Sequence, residues 1–302
     1  MSTPAALTPN GEIVPCAICG ETASRTLYVK SGYAIGACTR CGLVHANPRA
    51  SKSAILGRYS ADYFWKEYLP SLGITGPGFD LERFDARYHR LLAVIGERVA
   101  GRRLLEVGSG AGFFLKAAER AGWQVTGIEL SEEASRFAID RLGLDIRRQP
   151  AEEALITPAS FDAAAMFDTI EHLFEPLSVL QAIARALTAD GVLAVSTPNF
   201  DAASRFLLGE PWAVLSPLEH LYYFTEDSLR RILLAAGFRD VTFIRRHAMW
   251  GPLETMNYHY THAPDAWRAR VAAGLVTVGG MPFARLLQAF GRQDALLCLA
   301  RR

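Results

Sequence analysis

Two sets of side chains in this sequence have the types and spacing for chemistry. Four of its five cysteines form two C-x-x-C pairs, Cys16 with Cys19 and Cys38 with Cys41, separated by eighteen residues. Each pair lets two thiolates converge from one tight turn, and two pairs at this separation read as a four-thiolate zinc site. Such a site has no open position, so the zinc is expected to be structural and not catalytic. Gly20 and Gly42 follow the second cysteine of each pair, where the backbone must curl round the metal. Redox use is the alternative, but redox C-x-x-C pairs come singly at a helix start. Cys298, in an apolar run, reads as core.

The second set is LLEVGSGAGFF, residues 104–114, in which Gly108, Gly110 and Gly112 alternate after an apolar run. A strand feeding a glycine turn that opens a helix cradles nucleotides. A dinucleotide fingerprint spaces its glycines G-x-G-x-x-G, whereas here the third glycine comes one position early and Phe113 fills the slot. Glu106, two positions before the first glycine, would repel a pyrophosphate and attract a cation. S-adenosylmethionine fits, because its ammonium and sulfonium are cationic and it has no phosphate. Glu129 ends the strand QVTGIE at the distance where an acid accepts from both ribose hydroxyls, and Leu130 behind it can cover an adenine face. Alternating glycines alone could form a turn with no ligand; the two acids at these spacings argue against that.

Methyl transfer from such a donor needs proximity, a dry pocket, and a base where the nucleophile begins protonated. FDTIEHLFEP follows the strand FDAAAMF and places Asp168, Glu171 and His172 near the sulfonium, with orientation or capping as the other role for His172. His220, in PLEHLYYF, lies in an irregular stretch that would line the acceptor pocket together with Trp212, Tyr222 and Tyr223. Histidine titrates near operating pH, which suits His220 to a general base, or else it fixes the loop by hydrogen bonds. His45, beside the second cysteine pair, reads as a surface residue more readily than as a substrate contact. His247, His259 and His262 carry no readable assignment.

The elements that must position these groups follow from periodicity. FDARYHRLLAVIGERV has helical spacing, RRLLEV is a short β run, GFFLKAAERAG a helix, QVTGIEL a strand and SEEASRFAIDRLG a helix. LDIRR is a weak strand and FDAAAMF a better one; EPLSVLQAIARALTAD reads as a helix through residue 190 and GVLAVSTP as the next strand. This alternation means an α/β fold, a parallel sheet with helices on both faces. TEDSLRRILLAAG is a helix with a Thr225 cap and a Gly237 stop. FRDVTFIRRH and DALLCLARR are the last strands, and DAWRARVAAGL and PFARLLQAF are helical stretches between them. Before residue 50 come short β pieces (TLYVK, YAIGAC, GLVHA). The aromatic tract YSADYFWKEYL then leads to SLGITGPG, a hinge. The domain boundary is therefore expected near it: a zinc-ribbon module and linker at 1–70, and a second domain at 71–302.

Composition excludes some classes. With 302 residues, half of them hydrophobic, and a net charge of +1, the chain has no global basic field to hold phosphate backbones. Its start lacks a basic stretch followed by an apolar core, and no window reaches the roughly 18 apolar residues of a membrane span, so a cytoplasmic location is expected.

From about residue 80 onward the sequence resembles the class I methyltransferases. The resemblance rests on LLEVGSGAGFF, GIELS, SFDAAAMFDTIEHLFEP, LTADGVLAVSTPN and HLYYFTEDSLRRILLAAGF, in that order. It implies a Rossmann-like seven-stranded sheet of order 3-2-1-4-5-7-6 with the seventh strand antiparallel. By the same likeness Glu106 and the three glycines hold the aminoacid end of the donor and Glu129 the ribose. Many relatives carry an acid after the third strand for the adenine amine; Pro150 stands there, which leaves Glu152 or a backbone carbonyl. The N-terminal words CAICG and CTRCGLVHANPRA, with the Y-x-x-x-Y-F near YSADYF, are similar to the zinc-binding module of sugar C-methyltransferases and related enzymes of glycan biosynthesis.

These readings converge on a methyltransferase for an oxygen or carbon of a small molecule: a sugar, a glycan, or a phenol-like or quinone-like ring. The N-P-P-Y type motif common in enzymes that methylate base amines is replaced by F-D-T-I. Two alternatives remain. One is an RNA methyltransferase gripping RNA with a basic face from Arg25, Lys30, Arg40, Arg49, Lys52 and Arg58. The other is a zinc-ribbon interaction protein with a vestigial donor site. The oligomeric state stays open.

Overall fold

A computed structural model of the chain describes residues 11–245 apart from 77 and 155, together with 282 and 285–302. The stretch DAWRARVAAGL and the three late histidines lie outside the described residues. Contacts divide the chain into two compact units: Met1–Ser51 with Ser196–Ile232 and Phe243–Cys298, and Lys52–Val195 with Leu233–Thr242 and Leu299–Arg302.

The second unit is built on β4 (Arg103–Val107), β5 (Gln124–Glu129), β6 (Ile146–Arg148), β7 (Phe161–Phe167), β8 (Leu187–Pro198), β10 (Arg239–Phe243) and β11 (Ala295–Arg301), the last of which ends in it. The strands lie in the order β6-β5-β4-β7-β8-β11-β10, which is 3-2-1-4-5-7-6 when counted within this sheet. β4 pairs in parallel with β5 and β7, so that Glu106 lies between Gly127 and Ala165. Asn199 N donates to Asp294 O at one end and Arg302 N to Gly191 O at the other, which makes β11 antiparallel to β8. The apolar runs are strands because both faces are covered: Leu104, Leu105, Ala163, Ala164, Ala165 and Met166 are buried.

The helices are α1 (Lys52–Leu56), α2 (Ala61–Tyr63), a π-helical turn at Phe64–Tyr68, α3 (Leu69–Ser71), α4 (Leu81–Gly96), α5 (Phe113–Arg120), α6 (Glu132–Leu142) and α7 (Pro176–Ala186). Local signals set their ends. Asp80 accepts from Glu82 N to start α4, Ser131 accepts from Ala134 N to start α6, and left-handed Gly143 stops α6. The helix expected through residue 190 stops at Ala186, and Leu187 opens β8 instead. Leu187 is fully buried, and Asp190 faces Arg239 of β10 and Arg301 of β11, so tertiary pairing overrides helix propensity there. The aromatic tract read as leading to a hinge is itself helical, with Phe64 and Leu69 buried.

The first unit holds a four-stranded sheet, β1 (Ser24–Lys30), β2 (Tyr33–Cys38), β3 (Val44–Ala46) and β9 (Tyr222–Tyr223), in that order. β9 pairs antiparallel with β3, Val44 opposite Tyr223 and His45 opposite Tyr222. The residues after β8 thereby complete the sheet of the cysteine segment. One apolar cluster joins Ile35 and Val44 to Phe200, Trp212, Leu215 and Tyr223. Lys30 Nζ donates to the carbonyls of Glu210 and Trp212, and Arg205, in α8 (Ala203–Leu208), donates to the Tyr28 hydroxyl. Thr225 Oγ1 accepts from Ser228 N at the start of α9 (Glu226–Ala235), the cap expected from sequence.

Candidate functional site

At the end of β4 the backbone turns through Gly108, Gly110 and Gly112, all with positive φ (74°, 52° and 81°). A side chain would also find no room: a methyl on Gly108 would overlap Thr169, and one on Gly112 would overlap Leu144 of the segment after α6. Gly112 opens α5, so close helix packing is the role of the third glycine here. Phe113 is buried and stacks on Phe84 with ring centroids 4.0 Å apart.

Glu129 closes the turn from β5. Its Oε2 accepts from Gly110 N and its Oε1 from Ser131 N, each at 2.7 Å. Burial raises its proton affinity, and the amides of Ser131, Gly110 and Leu130 pull the other way. Glu106 is 3% exposed, and its Oε2 has no hydrogen-bonding partner among the described residues. Burial, and then the charge of Glu129, push its carboxyl well above the usual range. A buried carboxylate without a counter-charge is costly, and a cation beside it would remove that cost. Asp168, at the end of β7, has φ of 48°, a left-handed conformation that is uncommon outside glycine and gathers at functional sites. Glu106, the glycines, Glu129, Leu130 and Asp168 thus gather at one end of the parallel strands, where open α/β sheets bind ligands.

Two tyrosines that the sequence reading did not assign to the donor turn join this group. Tyr68, in the π turn, places its hydroxyl 3.3 Å from Ala111 N. Tyr88, in α4, packs edge-on against Phe114; burial pushes its hydroxyl up to about 12, with Glu106 and Asp168 adding to the shift and Arg87 opposing it. The only sequence signal was aromatic density, which marks core as often as site. Glu152 Oε1 accepts from Phe174 N, so this acid already has a backbone donor.

His172 sits on a 3₁₀ turn (Ile170–His172) after β7, its Nε2 4.0 Å from buried Glu171. In the first unit, His220 Nδ1 lies 2.7 Å from Val214 O. With Nδ1–H donating to that carbonyl, Nε2 is the ring's acceptor. Burial lowers its proton affinity, with the Val214 carbonyl and Glu219 opposing, which favours the neutral ring a base requires. His45 is 1% exposed and stacks on Tyr222, contrary to its reading as a surface residue. The pairing of β3 with β9 buries it, and burial, then Arg49, holds its ring down to about 4.

The four cysteines converge. Their sulfurs all lie within 4.8 Å of one another, with Cys16–Cys41 at 3.4 Å and Cys19–Cys38 at 3.5 Å. Those separations are too long for a disulfide bond of about 2.05 Å, and near the sulfur spacing of about 3.8 Å that tetrahedral zinc with its 2.3 Å bonds gives. Gly20 N and Gly42 N donate back to Cys16 O and Cys38 O with positive φ at both glycines, forming two matching knuckles. Burial raises the Cys16 and Cys41 thiols, a cost that a dication would reverse. Cys298 is fully buried, as expected of core.

With this geometry in hand, comparison with known proteins is informative. A family described as a methyltransferase domain matches residues 79–242. The "Ubiquinone biosynthesis O-methyltransferase" of Xylella fastidiosa strain 9a5c is 35% identical over 203 residues, 62% of this chain and 81% of that protein. The protein of the same description from Xanthomonas campestris pv. campestris strain B100 is 37% identical over 116 residues, 36% of this chain. The chain spans about half the length, 48%, of that and similar curated relatives. Among solved structures, Haemonchus contortus phosphoethanolamine N-methyltransferase 2 in complex with S-adenosyl-L-methionine superposes with a TM-score of 0.58 at 20% identity, covering 85% of this chain and 61% of that one. At that identity the likeness speaks for the fold.

Proposed function

We propose that the chain, which belongs to the methyltransferase domain family, is a SAM-dependent methyltransferase that methylates an oxygen or carbon of a small ring-bearing acceptor, a quinone-like phenol first and a sugar or glycan second. The observation that carries the donor half of this reading is the buried carboxylate of Glu106, whose Oε2 has no hydrogen-bonding partner among the described residues, beside the three-glycine turn. In it Glu106 and the turn receive the cationic aminoacid end of the donor, Glu129 the ribose hydroxyls, and Leu130 the adenine, with Asp168 near the sulfonium. The phenol preference draws on the likeness to the ubiquinone biosynthesis O-methyltransferases and on the Tyr223 ring edge-on to His220.

His220 is the proposed base. Its Nε2 takes the acceptor's proton, the oxygen attacks the methyl carbon, and the carbon–sulfur bond breaks to leave a neutral thioether. His172 is a second candidate, oriented by Glu171. Cys16, Cys19, Cys38 and Cys41 would hold a structural zinc, which supplies cross-linking of two knuckles and no reaction chemistry. At least four of the six basic residues of the RNA alternative have partners within the chain: Lys30 with two carbonyls, Arg40 with Glu21, Arg49 with Glu12, and Lys52 over the ring of Phe174. No helix among the described residues is long and apolar enough to cross a membrane.

The test is methyl transfer from labelled donor to catechols, nucleotide sugars and RNA, with wild type and His220→Ala. Transfer to a catechol, reduced about 10²- to 10⁴-fold in kcat by the substitution with donor affinity unchanged, is the expected result. Transfer to RNA alone, or undiminished rate in the variant, would overturn the acceptor or the base assignment respectively.

A further inference from the structure

The glycine turn is not open in this structure: Gly108, Ser109 and Gly112 donate to backbone carbonyls, and the two remaining amides, Gly110 N and Ala111 N, are taken by the protein's own side chains. Gly110 N donates to Glu129 at 2.7 Å, and Ala111 N donates to the Tyr68 hydroxyl at the longer distance of 3.3 Å. Tyr68 comes so close that a methyl group on Gly110 would overlap its hydroxyl, so Gly110 is required by this approach as well as by its positive φ. The hydroxyl accepts one hydrogen bond there and keeps its own proton to donate. Burial, with the charges of Glu129, Tyr88 and Glu106 adding to it, holds that proton on across the working range of pH, against the smaller opposing effect of Ala111.

The segment carrying Tyr68 has features of its own. Phe64–Tyr68 is a π turn, a departure from α geometry that costs hydrogen-bond quality and is found often at functional sites. Phe64 stacks on the Tyr68 ring at 5.7 Å and packs against Phe137 of α6, which anchors the turn independently of the hydroxyl. Trp65, half exposed, donates from Nε1 to Glu133 Oε2 on the same helix. The π turn therefore joins α6 through apolar contacts and the Trp65–Glu133 hydrogen bond, and the glycine turn through one long polar contact.

Resting on the donor reading above, we propose that Tyr68 is a donor-binding residue, which exchanges its bond with Ala111 N for a hydrogen bond from its hydroxyl to the carboxylate of the donor's aminoacid group. Glu106 deals with the ammonium end, and a carboxylate placed beside two buried acids needs a neutral donor of this kind to be held at all. The exchange frees Ala111 N for the same carboxylate and leaves the ring packed on Phe64.

Two ligands and one conservative substitution test this. S-adenosylhomocysteine carries the aminoacid group, and 5′-methylthioadenosine has the same nucleoside without it. Tyr68→Phe keeps the ring stacking and removes only the hydroxyl. Calorimetric titration is expected to show S-adenosylhomocysteine bound roughly tenfold more weakly by Tyr68→Phe than by wild type, with 5′-methylthioadenosine bound equally by both. Emission from Trp65, assigned by its loss in Trp65→Phe, is expected to shift with the first ligand and not the second. Equal weakening of both ligands would make Tyr68 merely structural, and no weakening of either would remove it from the site; both results overturn the inference alone. A wild-type protein that binds neither ligand would overturn the donor reading, and the inference with it.

Discussion

The donor turn takes Glu106, Gly108, Gly110, Gly112 and Glu129 from one unbroken β-α-β passage, residues 103–129. The unit that holds the cysteines draws on three separated segments, Met1–Ser51, Ser196–Ile232 and Phe243–Cys298. In the first, covalent order does the positioning: strand, turn and helix follow one another, and each glycine sits where a side chain would collide. In the second, β3 must find β9 across most of the chain, and the pairing is short. Loops of that length cost closure entropy. The cysteines do not close that loop; they join residues 16–41 to one another, next to the strand that β9 must find.

The largest expected effect separates the two regions. Chelation of the proposed zinc, or Cys38→Ser, should cut amide-exchange protection at Ile35, Val44 and Tyr223 by about 10³-fold or more, since structural zinc contributes on the order of 10 kcal/mol to folding of such sites. Binding of S-adenosylhomocysteine should persist, because no donor residue lies in those segments. Hydrogen exchange with and without chelator checks both halves; parallel loss of donor affinity would erase the contrast.

A smaller effect lies inside the donor turn. Glu129→Ala removes acceptors for Gly110 N and Ser131 N as well as the ribose partner. Donor affinity should fall about 100-fold, the size expected of one or two charged hydrogen bonds, while exchange protection in the cysteine unit stays put. Calorimetry that found less than a twofold change would take Glu129 out of the site.

The same contrast explains what could be read from sequence. The sheet order, which the family resemblance implied, is the one observed; the glycine turn, the two acids and the paired knuckles are local patterns, and the fold brings each set together. The end of α7 is not local: Leu187 is drawn into β8 by burial, against a helical continuation. His45 looked like a surface residue because nothing near it in sequence announces Tyr222 as its neighbour. Tyr68 lay in an aromatic tract read as leading to a hinge, and its hydroxyl's reach to Ala111 depends on a π turn that no composition rule signals. Register between distant strands and irregular helical turns are decided by packing, which sequence periodicity does not encode.

Glu106 carries the central claim, that a buried carboxylate at this turn selects a cationic donor. Its folded-state proton affinity is raised above the ordinary 4.5. Ligand-free stability should therefore be whole below about that pH and decline as pH rises towards the raised value, because the unfolded chain gives up its proton first. Glu106→Gln should remove the share of that decline that Glu106 contributes, leaving the share of Glu129, whose proton affinity burial also raises, and should raise the melting temperature near pH 8 by about 2 to 4 °C for each ~1 kcal/mol recovered. The most direct measurement is titration of wild type and Glu106→Gln with S-adenosylhomocysteine in two buffers of different ionisation enthalpy. The expected result is proton release on binding to wild type, none with the variant, and weaker binding by the more stable variant. A variant that binds as tightly as wild type, with the same proton count, would contradict it.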